Sequence, residues 1–173
     1  KRQVNVKTDL SSAAEGMKLP LKIGFSSDNN IKIIDLVKAK NILVAGAPGQ
    51  GMELLLDDIG NSFESREDNI QVHYFNSAND LYSETEVELE LLEIQAILQN
   101  RYESVKSRTT GNIVKKSKLV SEKNMQYIVL IFNEYTILNG TPDLMKILLQ
   151  LAQKGPRVGI HLIISTSYPS VNV

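Results

Sequence analysis

A glycine-rich turn, Gly46-Ala47-Pro48-Gly49-Gln50-Gly51, stands between an apolar run ending at Ala45 and a helical segment that opens with Met52-Glu53. Glycines at this spacing let a backbone turn successive N–H groups inward around an anion, and the helix that follows adds the positive end of its dipole. Holding a nucleotide takes more: a lysine after the last glycine to reach the β and γ phosphates, then a hydroxyl to ligate magnesium. This chain has Met52 and Glu53 at those two places. Methionine offers no charge, and the glutamate brings a negative one to the mouth of an anion site. At about 4 Å and an effective dielectric near 20, a unit charge pair contributes about 4 kcal/mol, so turning an attraction into a repulsion forfeits orders of magnitude in affinity. Glu53 has two other uses. It can hold a cation, or it can suit the helix N-terminus with no ligand at all, and the second is the simpler reading.

A second half-site follows the apolar run Tyr127 to Phe132, which ends in Asn133-Glu134. A nucleotide hydrolase of this type places aspartate then glutamate at such a strand end, the first to hold the metal shell by charge and the second to orient the attacking water. Asn133 is neutral, which leaves Glu134 as a lone glutamate, ordinarily only a solvated or hydrogen-bonded side chain. His161 lies within the last apolar run and reads as a structural residue of the core, and His73 is similarly isolated. No Ser, His, Asp constellation is readable, and with no cysteine in the chain there is neither a thiolate nucleophile nor a cysteine metal site.

These residues need a scaffold, and 173 residues with 42% hydrophobic content suffice for one domain with a proper core. Strands are expected at Leu21 to Phe25, Ile31 to Ile34, Asn41 to Ala45, Ile70 to Phe75, Tyr127 to Phe132 and Ile160 to Ser165. The runs at Ile42, Tyr127 and Ile160 are apolar at consecutive positions, as in strands of a parallel sheet covered on both faces. Helical periodicity marks Met52 to Phe63, Glu84 to about Lys106, and Thr141 to Gln153, the last opened by a threonine cap and proline. A hairpin, Leu21 to Ile34 with Ser26 to Asn30 as its turn, precedes this series. The class is therefore α/β, a mainly parallel sheet with helices on both faces. Residues 1–18 read as a polar arm before a domain over 19–173, and the ends of the chain suggest a piece of something longer.

The net charge of −1 exerts no global pull on nucleic acid, but the charges are unevenly spread. Asp80 to Glu93 is acidic without a single Lys or Arg, whereas Arg101 to Lys123 is basic. Within that basic loop Lys115, Lys116 and Lys118 are candidates for contacts with DNA phosphates, although the simple reading is a solvated loop. No apolar run is long enough to suggest a membrane span, so no membrane contact is expected of this segment and a cytoplasmic location is.

Taken in order, Leu19-Pro20-Leu21 with Ile23-Gly24, Asp35-Leu36-Val37-Lys38, Leu43-Val44-Ala45-Gly46-Ala47, Arg101-Tyr102 with Lys106 and Asn112-Ile113, and Tyr127-Ile128-Val129 with Glu134 resemble the motor domain of the FtsK/SpoIIIE DNA translocases. The stretch Gly159 to Thr166 leading to Pro169-Ser170-Val171-Asn172-Val173 is the most specific part of this likeness. The resemblance implies a RecA-like P-loop fold, ATP and magnesium between subunits of a ring, and double-stranded DNA through its centre. It also implies that Gly46, Ala47, Pro48, Gly49, Gln50, Gly51, Met52, Glu53 and Thr166 are remnants of the phosphate loop and sensor, that Asn133 and Glu53 stand where metal would be held, and that Glu134 is the remnant catalytic residue. Departures are many: Met52, Glu53, Asn133, Gly111, Pro156, and Ser167 and Tyr168 in place of glutamine and arginine. They point to a degenerate member without a cofactor, a pseudo-ATPase serving as a structural or interaction module, associating with DNA, with copies of itself or with active translocase subunits. Two rivals stay open. One is an active ATP-dependent translocase in which Glu53 or Glu134 carries the metal; the other is a DNA-binding protein without nucleotide chemistry.

Overall fold

The structure is a computed structural model that describes residues 14–64, 69–76, 84–109, 126–134 and 141–167. Strands β1 (Pro20–Phe25) and β2 (Ile31–Asp35) form an antiparallel hairpin, with an irregularity between Lys22 and Gly24. The hairpin closes at the expected turn, where the Ser26 N–H donates to the Asn30 carbonyl and Asn29 takes the left-handed conformation that asparagine tolerates. Asp35 then caps a four-residue helix, α1 (Leu36–Ala39), absent from the sequence reading. Its carboxylate accepts from the N–H groups of Val37 and Leu19, so one buried side chain both starts the helix and ties down the residue at which the domain was expected to begin.

The remaining elements alternate: β3 (Ile42–Ala45), α2 (Met52–Glu64), β4 (Ile70–Asn76), α3 (Glu84–Thr109), β5 (Tyr127–Asn133), α4 (Pro142–Lys154), a 3-10 turn (Gly155–Val158) and β6 (Ile160–Thr166). Strands β3, β6, β5 and β4 lie in that order in one parallel sheet. Side chains alternate across the central strand. Ile128, Leu130 and Phe132 join Leu91, Ile94 and Leu98 of α3 and Leu144, Leu148 and Leu151 of α4 in one core. Val129 and Ile131 join Leu56, Ile59 and Phe63 of α2, with Leu21 and Leu36 of the hairpin and α1, on the other face. The expected class, a parallel sheet with helices on both faces, is the observed one.

Two local expectations are corrected. Strand β3 is not covered on both faces: it is an edge strand among the described residues, with Ile42 and Val44 packed inward and Leu43 67% exposed. A continuous apolar run of four residues looks the same at the edge as in the middle. Thr141 precedes Pro142 at the start of α4 as expected, yet its hydroxyl makes no capping bond, and its backbone carbonyl accepts from the Met145 N–H. Among the described residues no helix is long and apolar enough to cross a membrane.

Since all four sheet strands run the same way, Ala45, Asn76, Asn133 and Thr166 end at one edge of the sheet, and the turns that follow them converge there. Helix α2 must approach that sheet closely, and it does so at Gly60, where an added Cβ would sit 3.6 Å from Tyr74 and 3.7 Å from Ile131, ordinary contact distances. Gly60→Ala is therefore expected to stabilise the fold by about 0.5–1 kcal/mol through helix propensity. At Gly155 the added Cβ would lie 2.8 Å from the Ile160 carbonyl oxygen, so Gly155→Ala is expected to destabilise. Urea unfolding of the two variants, with opposite shifts in midpoint, checks both.

Candidate functional site

The glycine turn carries the chain from β3 into α2. After β3 the Gly46 N–H donates to the Thr166 carbonyl at 3.3 Å, which continues the β3–β6 pairing to the last residue of β6. Gly49 (φ 77°) and Gly51 (φ 84°) are left-handed, conformations that side chains with a Cβ rarely adopt, and the chain turns there into α2. The Leu55 N–H donates to Gly51 O, the first closed turn of the helix. Facing the loop across a cavity of about 340 Å³ stand Asn76 at the end of β4, Asn133 and Glu134 after β5, and Ser167 after β6. Its wall includes Ala47, Pro48, Gly49, Gly51, Met52 and Glu53, but not Gly46, Gln50 or Thr166.

Asn133 is 7% exposed and fully engaged. Its amide nitrogen donates to Glu53 Oε1 at 3.2 Å and to Asn76 Oδ1 at 3.3 Å, and its oxygen accepts from the Ser165 hydroxyl at 3.3 Å. Glu134 turns back on itself with φ 68°. Its N–H donates to Ser165 Oγ, and its carboxylate accepts from the Ser167 N–H, each at 2.8 Å. Among the described residues no cationic side chain lines the cavity. Nearby, the Tyr74 hydroxyl, which donates to Asp57 at 2.7 Å, is pushed well above the usual phenol range by burial, then by Asp57 and last by Glu53.

No family model matches the chain. Among curated proteins it is 26% identical over 180 residues to the DNA translocase FtsK of Borreliella burgdorferi, covering 90% of this chain and 23% of that protein. It is 27% identical over 188 residues to the DNA translocase SftA of Bacillus subtilis, with 94% and 20% covered. Over about 90% of its length the chain is similar to FtsK-type DNA translocases. It spans about a quarter of the length of the curated relatives it matches. Its fold is that of P-loop ATPase domains. The cytoplasmic domain of the Type VII secretion ATPase EccC of Thermomonospora curvata matches with a TM-score of 0.67 at 18% identity, over 90% of this chain and 19% of that one. The conjugation coupling protein TcpA, in a monomer form with ATPgS, gives 0.66 at 19%, over 92% and 51%.

In this FtsK/SpoIIIE-like domain the structure brings together Ala47, Pro48, Gly49, Gly51, Met52, Glu53, Asn133 and Glu134 at one cavity, and places Thr166 under the loop as a backbone acceptor. Lys115, Lys116 and Lys118 lie outside the described residues, as do Gly111 and Tyr168. Asn76 and Ser165 belong to the site and were missed. Each is a polar residue at or near the end of a strand, and only the strand register, with Asn76 beside Asn133, gives it a place. Among the described residues no group of three or more His, Asp or Glu is arranged to hold a metal ion.

The two histidines sit elsewhere. His73 is not isolated, since its ring contacts Glu90 from the acidic half of α3. His161 is fully buried, and its Nδ1–H donates to the Lys40 carbonyl at 2.7 Å, which braces the left-handed Lys40 (φ 72°) at the end of α1. Asn41 completes the joint by donating to Ala152 O and accepting from the Leu162 N–H. Burial lowers the His161 pKa, so the folded protein prefers the neutral ring while the unfolded chain takes up a proton near pH 6.5. The contribution is whole above that pH and is lost as pH falls through the folded value, at a limiting rate of about 1.4 kcal/mol per pH unit. Thermal unfolding between pH 7 and 5 should accordingly fall more steeply for the wild type than for His161→Gln.

Proposed function

We propose that this domain is an FtsK/SpoIIIE-type P-loop module that has given up ATP hydrolysis and works as a structural or interaction element in DNA translocation and chromosome segregation. The observation that carries the reading is the pairing of Glu53 with Asn133 inside the phosphate loop. A magnesium nucleotide needs positive charge against its phosphates and oxygen ligands around its metal. Here Met52 replaces the lysine, the Glu53 carboxylate stands at the loop, and Asn133 turns an N–H donor, not an oxygen, toward the cavity. The residues present do not fit ATP and magnesium. Glu134 is folded back onto Ser167, which gives it a structural occupation.

Calorimetry is the test. The wild-type chain is expected to show no binding of ATP with magnesium at a dissociation constant tighter than about 1 mM, less than about 4 kcal/mol of binding free energy. The variant Met52→Lys, Glu53→Ser, Asn133→Asp should recover binding by at least about tenfold, or 1.4 kcal/mol. Micromolar binding and DNA-stimulated turnover by the wild type would instead support an active translocase with an atypical site.

Association with double-stranded DNA, with further copies or with active translocase subunits is part of the same proposal, and Lys115, Lys116 and Lys118 are its sequence support for DNA. If each neutralises a phosphate, reversing all three to glutamate should lower the slope of log affinity against log salt by about 3. An unchanged slope assigns that segment to solvent.

A further inference from the structure

Two departures from a nucleotide site that lie 80 positions apart in the chain meet in one hydrogen bond, and their chemistries match. The orientation of the Asn133 amide is dictated by its surroundings. Two oxygens, Glu53 Oε1 and Asn76 Oδ1, lie on the nitrogen side, and the Ser165 hydroxyl that donates to it lies on the oxygen side. Turned over, it would set its oxygen against two oxygens. Neither member of the pair is suited to the other's absence. An aspartate at 133 would put a carboxylate against the Glu53 carboxylate, and a serine at 53, two carbons shorter, would not reach across the cavity.

We propose that the Glu53–Asn133 bond is a latch that holds the first turn of α2 against the end of β5 without a metal ion, and that the two residues together determine that the site excludes anions and cations alike. This deepens the pseudo-ATPase reading and rests on it. The latch closes the loop from inside. The carboxylate answers the positive end of α2 and the Asn133 side-chain amide that faces it, so Glu53 is satisfied with nothing bound. Asn133, buried and held by Ser165 and Asn76, is the fixed member, and Glu53, on the first turn of the helix, is the member that reaches.

Thermal unfolding of the full chain, without nucleotide, in EDTA and in about 10 mM magnesium chloride tests the latch against a merely structural contact. Wild-type protein should unfold at the same temperature in both. Asn133→Asp opposes two carboxylates in the cavity, and its midpoint should fall by about 5 °C in EDTA, the response of a domain this size to 1–2 kcal/mol. Magnesium should restore at least half of the fall, because two carboxylates and the Asn76 oxygen now offer cation ligands. The double variant Glu53→Gln, Asn133→Asp remakes the bond with its polarity reversed, and should regain stability and lose the response to magnesium. An Asn133→Asp protein that matches wild type in EDTA, or whose loss magnesium leaves unchanged, overturns the proposal, as does a double variant no more stable than the single one. If Asn133→Asp does not fold in EDTA, the double variant decides: folding supports the latch, and a second unfolded protein overturns it. Because no nucleotide is present, these outcomes are separate from ATP binding by the wild type, which would overturn the pseudo-ATPase reading instead.

Discussion

Strand β5 is covered on both faces, and the rest of the domain is arranged by that fact. Ile128 to Phe132 are at most 1% exposed, with even-numbered side chains in the core of α3 and α4 and odd-numbered ones in the core of α2 and the hairpin. Five consecutive buried side chains fix the strand rigidly between two hydrophobic layers, each contributing on the order of 2 kcal/mol of burial. A strand so held delivers its next residue to one place. That residue, Asn133, arrives at the C-terminal edge of the sheet nearly without solvent, where a polar group must find partners inside the protein. It finds three, and one of them is Glu53 on the opposite wall of the loop.

The site is thus governed less by what the phosphate loop lacks than by what now satisfies it. A helix N-terminus exposes N–H groups that favour negative charge, whether that charge is a phosphate or a carboxylate of the protein itself. Glu53 supplies it from the first turn of α2. With a neutral amide at 133 the carboxylate has a donor where an aspartate would have opposed it. The glycine frame persists because the route from β3 into α2 still demands left-handed backbone at Gly49 and Gly51, a requirement of the turn whether or not an anion is present.

Much of this was legible in the chain. The long elements fell within a few residues of their observed ends, because consecutive apolar residues mark a strand between two layers and the helical period marks α2 and α4. What escaped had no periodicity to offer. Helix α1 is only four residues long, and its single signal was Asp35, a capping residue that also binds Leu19. The edge position of β3 depends on which strands are its neighbours, and nothing in Ile42 to Ala45 records that. The residues of the site were named from their spacing, but Asn76 and Ser165 were not, since a polar residue near a strand end acquires a role only from the strand beside it. The contact between Glu53 and Asn133 was likewise unreadable: each looked like a separate loss.

A loop closed by its own carboxylate is expected to take no phosphate. Titrating ATP and magnesium into nitrogen-15 labelled protein while following the amide resonances of Gly49 and Gly51 tests it where anion binding must register. Neither amide is expected to move as nucleotide rises to millimolar concentration, while the loop keeps the same resonances in EDTA. Saturating displacement of both amides at micromolar nucleotide, lost when magnesium is removed, would contradict it.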